Sequence, residues 1–296
     1  MSIWSTLMMM SHMAREPFHR HALPRVPEPD LVMDAPAQVQ AYAASGDLEG
    51  PLAPIHLLLA VHASVAMPPG GVVLDMACGP CNQLARIARL HPGTRFIGLD
   101  ASPGMLSQAE ASLREAALGN VTLRQGDMRA LAGLADASVD AVMCTMSLHH
   151  LADTRALQQA MRSAARVLKP GGGVYLADFG RLRRLATIRF LVQDRQAEQS
   201  PQFTADFFNS MRAAFSVDEL ADAAQALGSS WQIVQTALAP FMVLLRRPLH
   251  GQPDAAAMAR AREQFRALSA SHRGDFKALA NWFAASGLPL PAGVLP

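Results

Sequence analysis

A repeated order of short apolar strands and amphipathic helices most constrains the fold of this chain. The run from Val72 to Leu74 is led by β-branched residues, follows two glycines and is typical of a buried strand. A helix with apolar residues at helical spacing comes next and stops at Pro92-Gly93. The alternation continues through four further strands, at Thr94 to Leu99, Val121 to Arg124, Val139 to Met143 and Val174 to Ala177. This order predicts an α/β fold with a doubly wound, mostly parallel sheet.

Two later segments complete the predicted sheet and cover it. Trp231 to Leu238 and Phe241 to Leu245 are separated only by Ala239-Pro240, which predicts an antiparallel final hairpin and a seven-stranded, Rossmann-like sheet. The insertion at about 180–216 is rich in phenylalanine, and we expect it to lie over the strand ends as a helical lid.

The 296 residues accommodate one α/β domain with appendages. Prolines crowd the segment from Glu16 to Pro36, so we expect residues 1–34 to form a poorly ordered N-terminal arm. Residues 35–250 are predicted to form the ligand-binding domain with its lid. Residues 251–296 form a helical extension whose apolar side chains must pack on the lid or on a second subunit, which would make a homodimer.

Composition excludes several classes of protein. The formal net charge of +2 provides no general attraction to nucleic acid or to a membrane surface. No apolar run approaches the roughly 20 residues of a membrane-spanning helix, and the short run Leu7 to Met10 lacks the features of a signal peptide. Three cysteines do not form a disulfide framework, so we expect a cytoplasmic protein.

The sequence Cys78-Gly-Pro-Cys81 raises the alternative of a thiol–disulfide enzyme. Its position after a strand and before a helix suits a reactive thiol. However, a thioredoxin-like protein also needs a later proline against its disulfide, and none occurs between Pro103 and Pro170. We therefore interpret the small residues of this turn as room for a ligand to approach the backbone.

Three predicted strands end in an acidic residue, namely Asp75, Asp100 and Asp127. Open parallel sheets bind ligands beyond the carboxyl ends of their strands, and an acid about 20 residues after the turn can accept both hydroxyls of a ribose. Such acidity opposes a pyrophosphate and favours a cationic nucleoside.

The successive motifs resemble those of class I S-adenosylmethionine-dependent methyltransferases, in particular the ubiquinone and menaquinone methylases and related small-molecule enzymes. The resemblance covers about Val72 to Phe179. It is carried by Asp75-Met-Ala-Cys-Gly-Pro80, Gly98-Leu-Asp100-Ala-Ser102, Gln125-Gly-Asp127-Met128, Ser147-Leu-His149-His150-Leu151 and Leu168-Lys-Pro-Gly-Gly172. The glycine-rich loop of the family has glycines where this chain has Ala77 and Cys81.

The resemblance implies that the cofactor is S-adenosylmethionine and that its product is S-adenosylhomocysteine. Asp75, Ala77, Gly79 and Pro80 would hold the methionine moiety, and Thr145 and Met146 would line the same end. Asp100 would accept the ribose hydroxyls. The remaining expected contacts are Ala101, Ser102 and Met105 around the ribose and adenine, Gly126, Asp127 and Met128 at the adenine edge, and Tyr42 at the cofactor carboxylate. A helix that simply covers the sheet is the favoured alternative for the segment of Tyr42.

Methyl transfer from a sulfonium mainly requires alignment of the acceptor and exclusion of water. An acceptor hydroxyl must also lose a proton, and His150, followed by His149, is the candidate base. Asp178 could orient the acceptor or form an ion pair with Arg181. Metal-dependent catechol methylases carry an Asp-Asn pair that Asp178-Phe179 does not match, so no metal is expected.

The predicted acceptor is a small aromatic or apolar metabolite, because the lid region contains Phe190, Phe203, Phe207, Phe208, Met211 and Phe215. Arg181, Arg183, Arg184 and Arg189 form one basic cluster, but aromatic residues do not alternate with them as in a nucleic-acid platform. A methylase of RNA or protein and a regulatory subunit that binds the cofactor without catalysis are the alternatives.

Overall fold

In the computed structural model, residues 3–47, 49–194 and 196–295 are described, with the side chains of residues 3–6 excluded. Within these ranges, seven strands form one sheet. They are β1 (Val72–Asp75), β2 (Arg95–Asp100), β3 (Val121–Gln125), β4 (Val139–Thr145), β5 (Leu168–Phe179), β6 (Gln232–Gln235) and β7 (Met242–Arg247).

The strand order is β3-β2-β1-β4-β5-β7-β6. The first five strands are parallel, and β7 runs antiparallel to both β5 and β6. The predicted sheet and its antiparallel hairpin are therefore confirmed. Strand β5 begins at Leu168 rather than near Val174, because Leu168 pairs with Val139 before an irregularity in the ladder.

The described helices are α1 (Ile3–Arg15), α2 (Pro36–Gly46), α3 (Ala53–Ala63), α4 (Asn82–Leu90), α5 (Pro103–Glu115), α6 (Thr154–Val167), α7 (Leu185–Gln193), α8 (Pro201–Ala213), α9 (Val217–Ala224), α10 (Ala255–Ala267) and α11 (Ala270–Ala285). Helix α9 begins with the capping box of Ser216 and Glu219. In the described residues, no helix is both long and apolar enough to cross a bilayer.

Helices cover both faces of the sheet because adjacent residues of each central strand point to opposite sides. Val73 and Tyr175 face one apolar cluster, which includes residues of α3, α4, α10 and α11. Leu74 and Leu176 face a second cluster, which includes residues of α6 and α9. The C-terminal helices pack on α3 and α4 of the same chain, and this contact accounts for apolar side chains whose partner the sequence left open.

The N-terminal arm differs from the poorly ordered segment that the sequence predicts. Residues 3–15 form α1, which contacts the lid helix α7 and buries Met13 in the core. Beyond α1, the Glu16 carboxylate accepts a hydrogen bond from the backbone N–H of Arg183, and the Asp34 carboxylate accepts bonds from Ser102 and Gly104. These partners are distant in sequence, so local patterning could not reveal the order of the arm.

Candidate active site

A cavity of about 400 Å³ lies at the carboxyl ends of β1, β2 and β4. Chain order reverses between β1 and β4, which is where sheets of this type bind ligands. Helices α7, α8 and α11 close its far side. Twelve of the residues predicted to bind the cofactor line this cavity: Tyr42, Ala77, Gly79, Pro80, Asp100, Ala101, Met105, Gly126, Asp127, Met128, Thr145 and Met146.

The turn after β1 is held by backbone bonds to both neighbouring strands. The Met76 N–H donates to Met143 O at 2.9 Å, and the Cys78 N–H donates to Leu99 O at 2.9 Å. Gly79 has φ +53°, and the nearest atom to an added Cβ would be Tyr42 Cε1 at 3.7 Å. The space beside Gly79 therefore opens towards the cavity, as a ligand that approaches the backbone requires.

Asp100 is a partly buried acid that also organises this edge of the sheet. Its carboxylate accepts bonds from the Gly79 N–H at 2.8 Å and from the Ser102 N–H at 2.9 Å. Burial raises the pKa of Asp100, while these backbone donors oppose the change. The acid thus faces the cavity from a fixed position, with lone pairs left for the vicinal hydroxyls of a ribose.

Asp75 and Ser102 do not reach the cavity wall. Asp75 is 1% exposed, and burial raises its pKa to about 7, with the nearby Asp100 carboxylate adding to the effect. Its carboxylate accepts a long bond of 3.4 Å from the Ala77 N–H, so it supports the turn from behind. Ser102 caps α5 through the Met105 N–H. Both residues shape the site rather than line it.

Asp127 lines the cavity in contact with Arg129. The Arg129 Nε donates to both carboxylate oxygens, at 3.0 and 2.9 Å, and this side-chain bond lowers the pKa of Asp127. Arg129 is the one arginine among the lining residues, and no lysine accompanies it in the described part of the chain. The wall is therefore acidic on balance.

His149 and Asp178 form a buried pair at the end of β4 and β5. His149 Nδ1 lies 2.6 Å from Asp178 Oδ1, and the His149 N–H donates to Asp178 Oδ2 at 3.0 Å. Burial lowers the pKa of His149, but the carboxylates of Asp178 and Glu28 outweigh it, so the pKa lies above its usual value. Asp178 does not line the cavity and acts on it through His149.

His150 also lines the cavity, but burial and the neighbouring His149 lower its pKa to about 3. The two histidines therefore differ in their surroundings, because His149 is paired with a buried carboxylate whereas Nδ1 of His150 has no hydrogen-bond partner. The expected pair between Asp178 and Arg181 is wrong, because Arg181 donates to Glu219 at 2.6 Å.

The part of the cavity below the lid is aromatic. Phe179 and Phe207 have ring centroids 5.5 Å apart, and Phe241 stacks on Trp282 at 5.5 Å with an interplanar angle of 6°. Phe203 of α8 completes this surface. None of the four clustered arginines predicted from the sequence lines the cavity.

Several residues of this region carry no sequence signal for a site. Leu31, Val32 and Met33 of the arm line the cavity. Arg25 donates to the carbonyls of His149, Leu151, Ala152 and Ala213, and its guanidinium lies 4.1 Å from the centroid of the Phe215 ring. The arm therefore ties the lid to the loop after β4 through contacts between residues more than 100 positions apart.

The geometry of the cysteines opposes a redox role. Cys78, Cys81 and Cys144 are buried and form no disulfide. The hydrogen bond with Cys81, together with burial, raises the pKa of the Cys78 thiol far above its usual range. Cys81 has φ +65° and stands directly before α4, at the position where the resembled loop carries its last glycine.

Comparison with known proteins agrees with this geometry. Residues 73–172 match the family described as "Methyltransferase domain". A ubiquinone biosynthesis O-methyltransferase of Xanthomonas campestris is 34% identical over 140 residues, which are 46% of this chain and 56% of that protein. An uncharacterized transposon protein of Streptomyces fradiae is 37% identical over 111 residues, or 37% of this chain and 30% of that protein. The chain thus spans about half the length of these relatives, or less.

Solved structures share the fold. An S-adenosylmethionine-dependent methyltransferase from Aquifex aeolicus aligns over its whole length with 73% of this chain. The TM-score is 0.50 and the sequence identity is 17%. A second similar structure is a chain of the complex between the Haloferax volcanii Trm112 methyltransferase activator and a methyltransferase. The alignment spans 74% of this chain and 99% of that chain, with a TM-score of 0.50 and 21% identity.

Proposed function

We propose that this chain, whose residues 73–172 match a methyltransferase domain, is a class I S-adenosylmethionine-dependent methyltransferase that transfers a methyl group from S-adenosylmethionine to a small aromatic or apolar metabolite. One observation carries the proposal. A single cavity joins the acidic strand ends to the aromatic surface, so that a cofactor and an acceptor can lie side by side in it.

The residues at the strand ends fit the cofactor. Asp100 offers carboxylate oxygens to the ribose, while the open side of Gly79 lets the ligand contact the backbone. Burial and the surrounding acids raise the pKa of Tyr42, so its neutral hydroxyl can donate a hydrogen bond to the carboxylate of the cofactor. The acidic balance of the wall favours a sulfonium cation.

When bound, the cofactor supplies a methyl group on a positively charged sulfur, and S-adenosylhomocysteine is the product. The protein needs to align the acceptor with that methyl group and to exclude water. The rings of Phe207, Phe241 and Trp282 provide an apolar surface for the acceptor. The absence of a cationic side chain from this surface, within the described residues, favours a neutral acceptor over a carboxylate or a phosphate.

His149 is the residue that accepts the proton of an acceptor hydroxyl. The Nδ1–H of His149 donates to the Asp178 carboxylate, which leaves the lone pair of the neutral ring on Nε2. Asp178 is a positioning residue, since it fixes the orientation of the ring and stabilises the imidazolium that forms.

The experiment is a transfer assay with S-adenosylmethionine that carries a deuterated methyl group, followed by mass spectrometry of a panel of phenols and hydroquinones. Transfer to neutral aromatic acceptors is expected, and Phe207→Ala should raise KM about 10-fold or more because it removes buried apolar contact. Phe208→Ala is the matched control, since Phe208 does not line the cavity. Binding of S-adenosylhomocysteine without any labelled product would instead favour a regulatory subunit, and equal effects of both substitutions would contradict the assigned acceptor surface.

A further inference from the structure

Three potential metal ligands meet at the edge of the cavity, although they come from distant parts of the chain. Glu28 belongs to the N-terminal arm, whereas His149 and His150 follow β4. One ligand atom from each of the three residues lies within 4.8 Å of the other two. Ligand atoms around a tetrahedral zinc ion are about 3.3 Å apart, so small side-chain rotations would bring the three atoms to coordinating distance.

The hydrogen bonds of His149 are those of a metal-binding histidine. Such a histidine usually donates its second ring N–H to a carboxylate or a carbonyl, which fixes the ring and leaves the other nitrogen for the metal. His149 Nδ1 is bonded to Asp178 Oδ1 at 2.6 Å, and both side chains are 3% exposed. The lone pair of the neutral ring is then on Nε2.

His150 provides an independent observation that points to a ligand. Its Nδ1 is buried and has no hydrogen-bond partner. A buried ring nitrogen is seldom left without a partner, and a metal ion would supply one.

Glu28 supplies the carboxylate of the cluster. It is buried, and its Oε1 accepts a hydrogen bond from Ser210 at 2.7 Å. Among the residues that the structure describes, no lysine or arginine forms an ion pair with it. A buried carboxylate between two imidazoles is stabilised when a cation joins them.

We propose that Glu28, His149 and His150 bind one divalent transition-metal ion of the zinc and cobalt class. Two imidazoles and one carboxylate suit these ions and leave at least one coordination position for another ligand. Because both histidines line the cavity, that position is accessible to an acceptor oxygen. The ion would lower the pKa of a bound hydroxyl, with His149 then acting as a ligand instead of a base. This proposal departs from the sequence analysis, which expects no metal, and it does not depend on the proposed methyl transfer.

The test is a titration of tag-free, chelator-treated protein with Co²⁺, followed by visible absorption and competition with Zn²⁺. We expect one bound ion per chain with the absorption of a low-symmetry Co²⁺ site. Glu28→Gln and His150→Ala should each weaken Co²⁺ binding at least about 10-fold. Thermal unfolding of each variant confirms that the fold is retained, and the two substitutions serve as independent tests.

Two controls make the outcome specific. Asp30→Asn removes the same charge from the same arm at an exposed side chain outside the cluster, and it should leave Co²⁺ binding unchanged. Replacement of the exposed His19 and His21 by glutamine should also have no effect. The proposal is overturned if the parent protein binds no Co²⁺ at one equivalent, or if the control variants weaken binding as much as Glu28→Gln does. Because the readout is spectroscopic, either result is independent of cofactor binding.

Discussion

Replacement of Asp178 by asparagine tests the buried pair on which the proton-transfer step depends. The carboxylate accepts bonds from His149 Nδ1 at 2.6 Å, from the Phe179 N–H at 2.7 Å and from the His149 N–H at 3.0 Å. Asparagine keeps one acceptor oxygen but turns an amide NH₂ towards a buried donor. The variant loses the charge-assisted bond from His149 Nδ1 and leaves one buried N–H group without an acceptor. Together these losses should lower the free energy of unfolding by about 3 kcal/mol.

The loss should depend on pH, and its sign follows from His149. The pKa of His149 is raised in the folded protein, so the stabilisation from its protonated form is complete below the unfolded value of about 6.5. It disappears as the pH rises through the folded value. Without the Asp178 carboxylate, burial is the main remaining influence and lowers the pKa of His149. The variant should therefore lose more stability at pH 5.5 than at pH 8.

Urea unfolding followed by circular dichroism at both pH values measures this difference. Asp136→Asn is the matched control, because Asp136 pairs with Arg166 at 2.8 Å while its side chain is 78% exposed. That substitution should change stability by less than about 0.5 kcal/mol. A loss in Asp178→Asn that is the same at both pH values, or no larger than in the control, would refute the reasoning.

Three further outcomes follow from the packing of the site. Arg25→Ala should destabilise the protein by at least about 2 kcal/mol in urea unfolding, because it removes the bonds to four carbonyls of the lid and of the β4 loop. Gly180→Ala should lower the melting temperature, since an added Cβ would lie 2.3 Å from Pro240 O, whereas Gly119→Ala, with no atom within 4 Å, should not. Ellman's reagent should react with none of the three buried thiols of the native protein and with all three after unfolding, and rapid reaction of the native protein would restore the redox interpretation.

The fold and the cofactor half of the site could be predicted because their determinants are local. Most strands are marked in the sequence by a short apolar run, and Asp100 ends such a run while Asp127 lies two residues beyond the end of β3. The carboxyl ends of parallel strands lie at the same edge of the sheet, so these positions come together regardless of how the connecting helices pack. Asp75 shows the limit of this reasoning, because its place at a strand end was correct but its side chain points behind the turn.

The contacts of the arm and of the histidine pair could not be predicted in this way. Glu28 and Arg25 lie in a proline-rich stretch without helical or strand periodicity, and their partners follow β4 or belong to the lid. Such contacts depend on the tertiary path of the chain. The roles of His149 and His150 differ because only one of them faces the Asp178 carboxylate, a choice that adjacent identical residues do not reveal.

Calorimetric titration with S-adenosylhomocysteine tests the central claim most directly, namely that acids at the sheet edge hold an adenosine ligand. The parent protein should bind one equivalent, and Asp100→Ala should bind about 10- to 150-fold more weakly, the equivalent of about 1.5–3 kcal/mol for hydrogen bonds to a charged group. Urea unfolding of the variant separates this effect from loss of the bonds to Gly79 and Ser102. Equal affinity in both proteins, or no binding to the parent, would contradict the account.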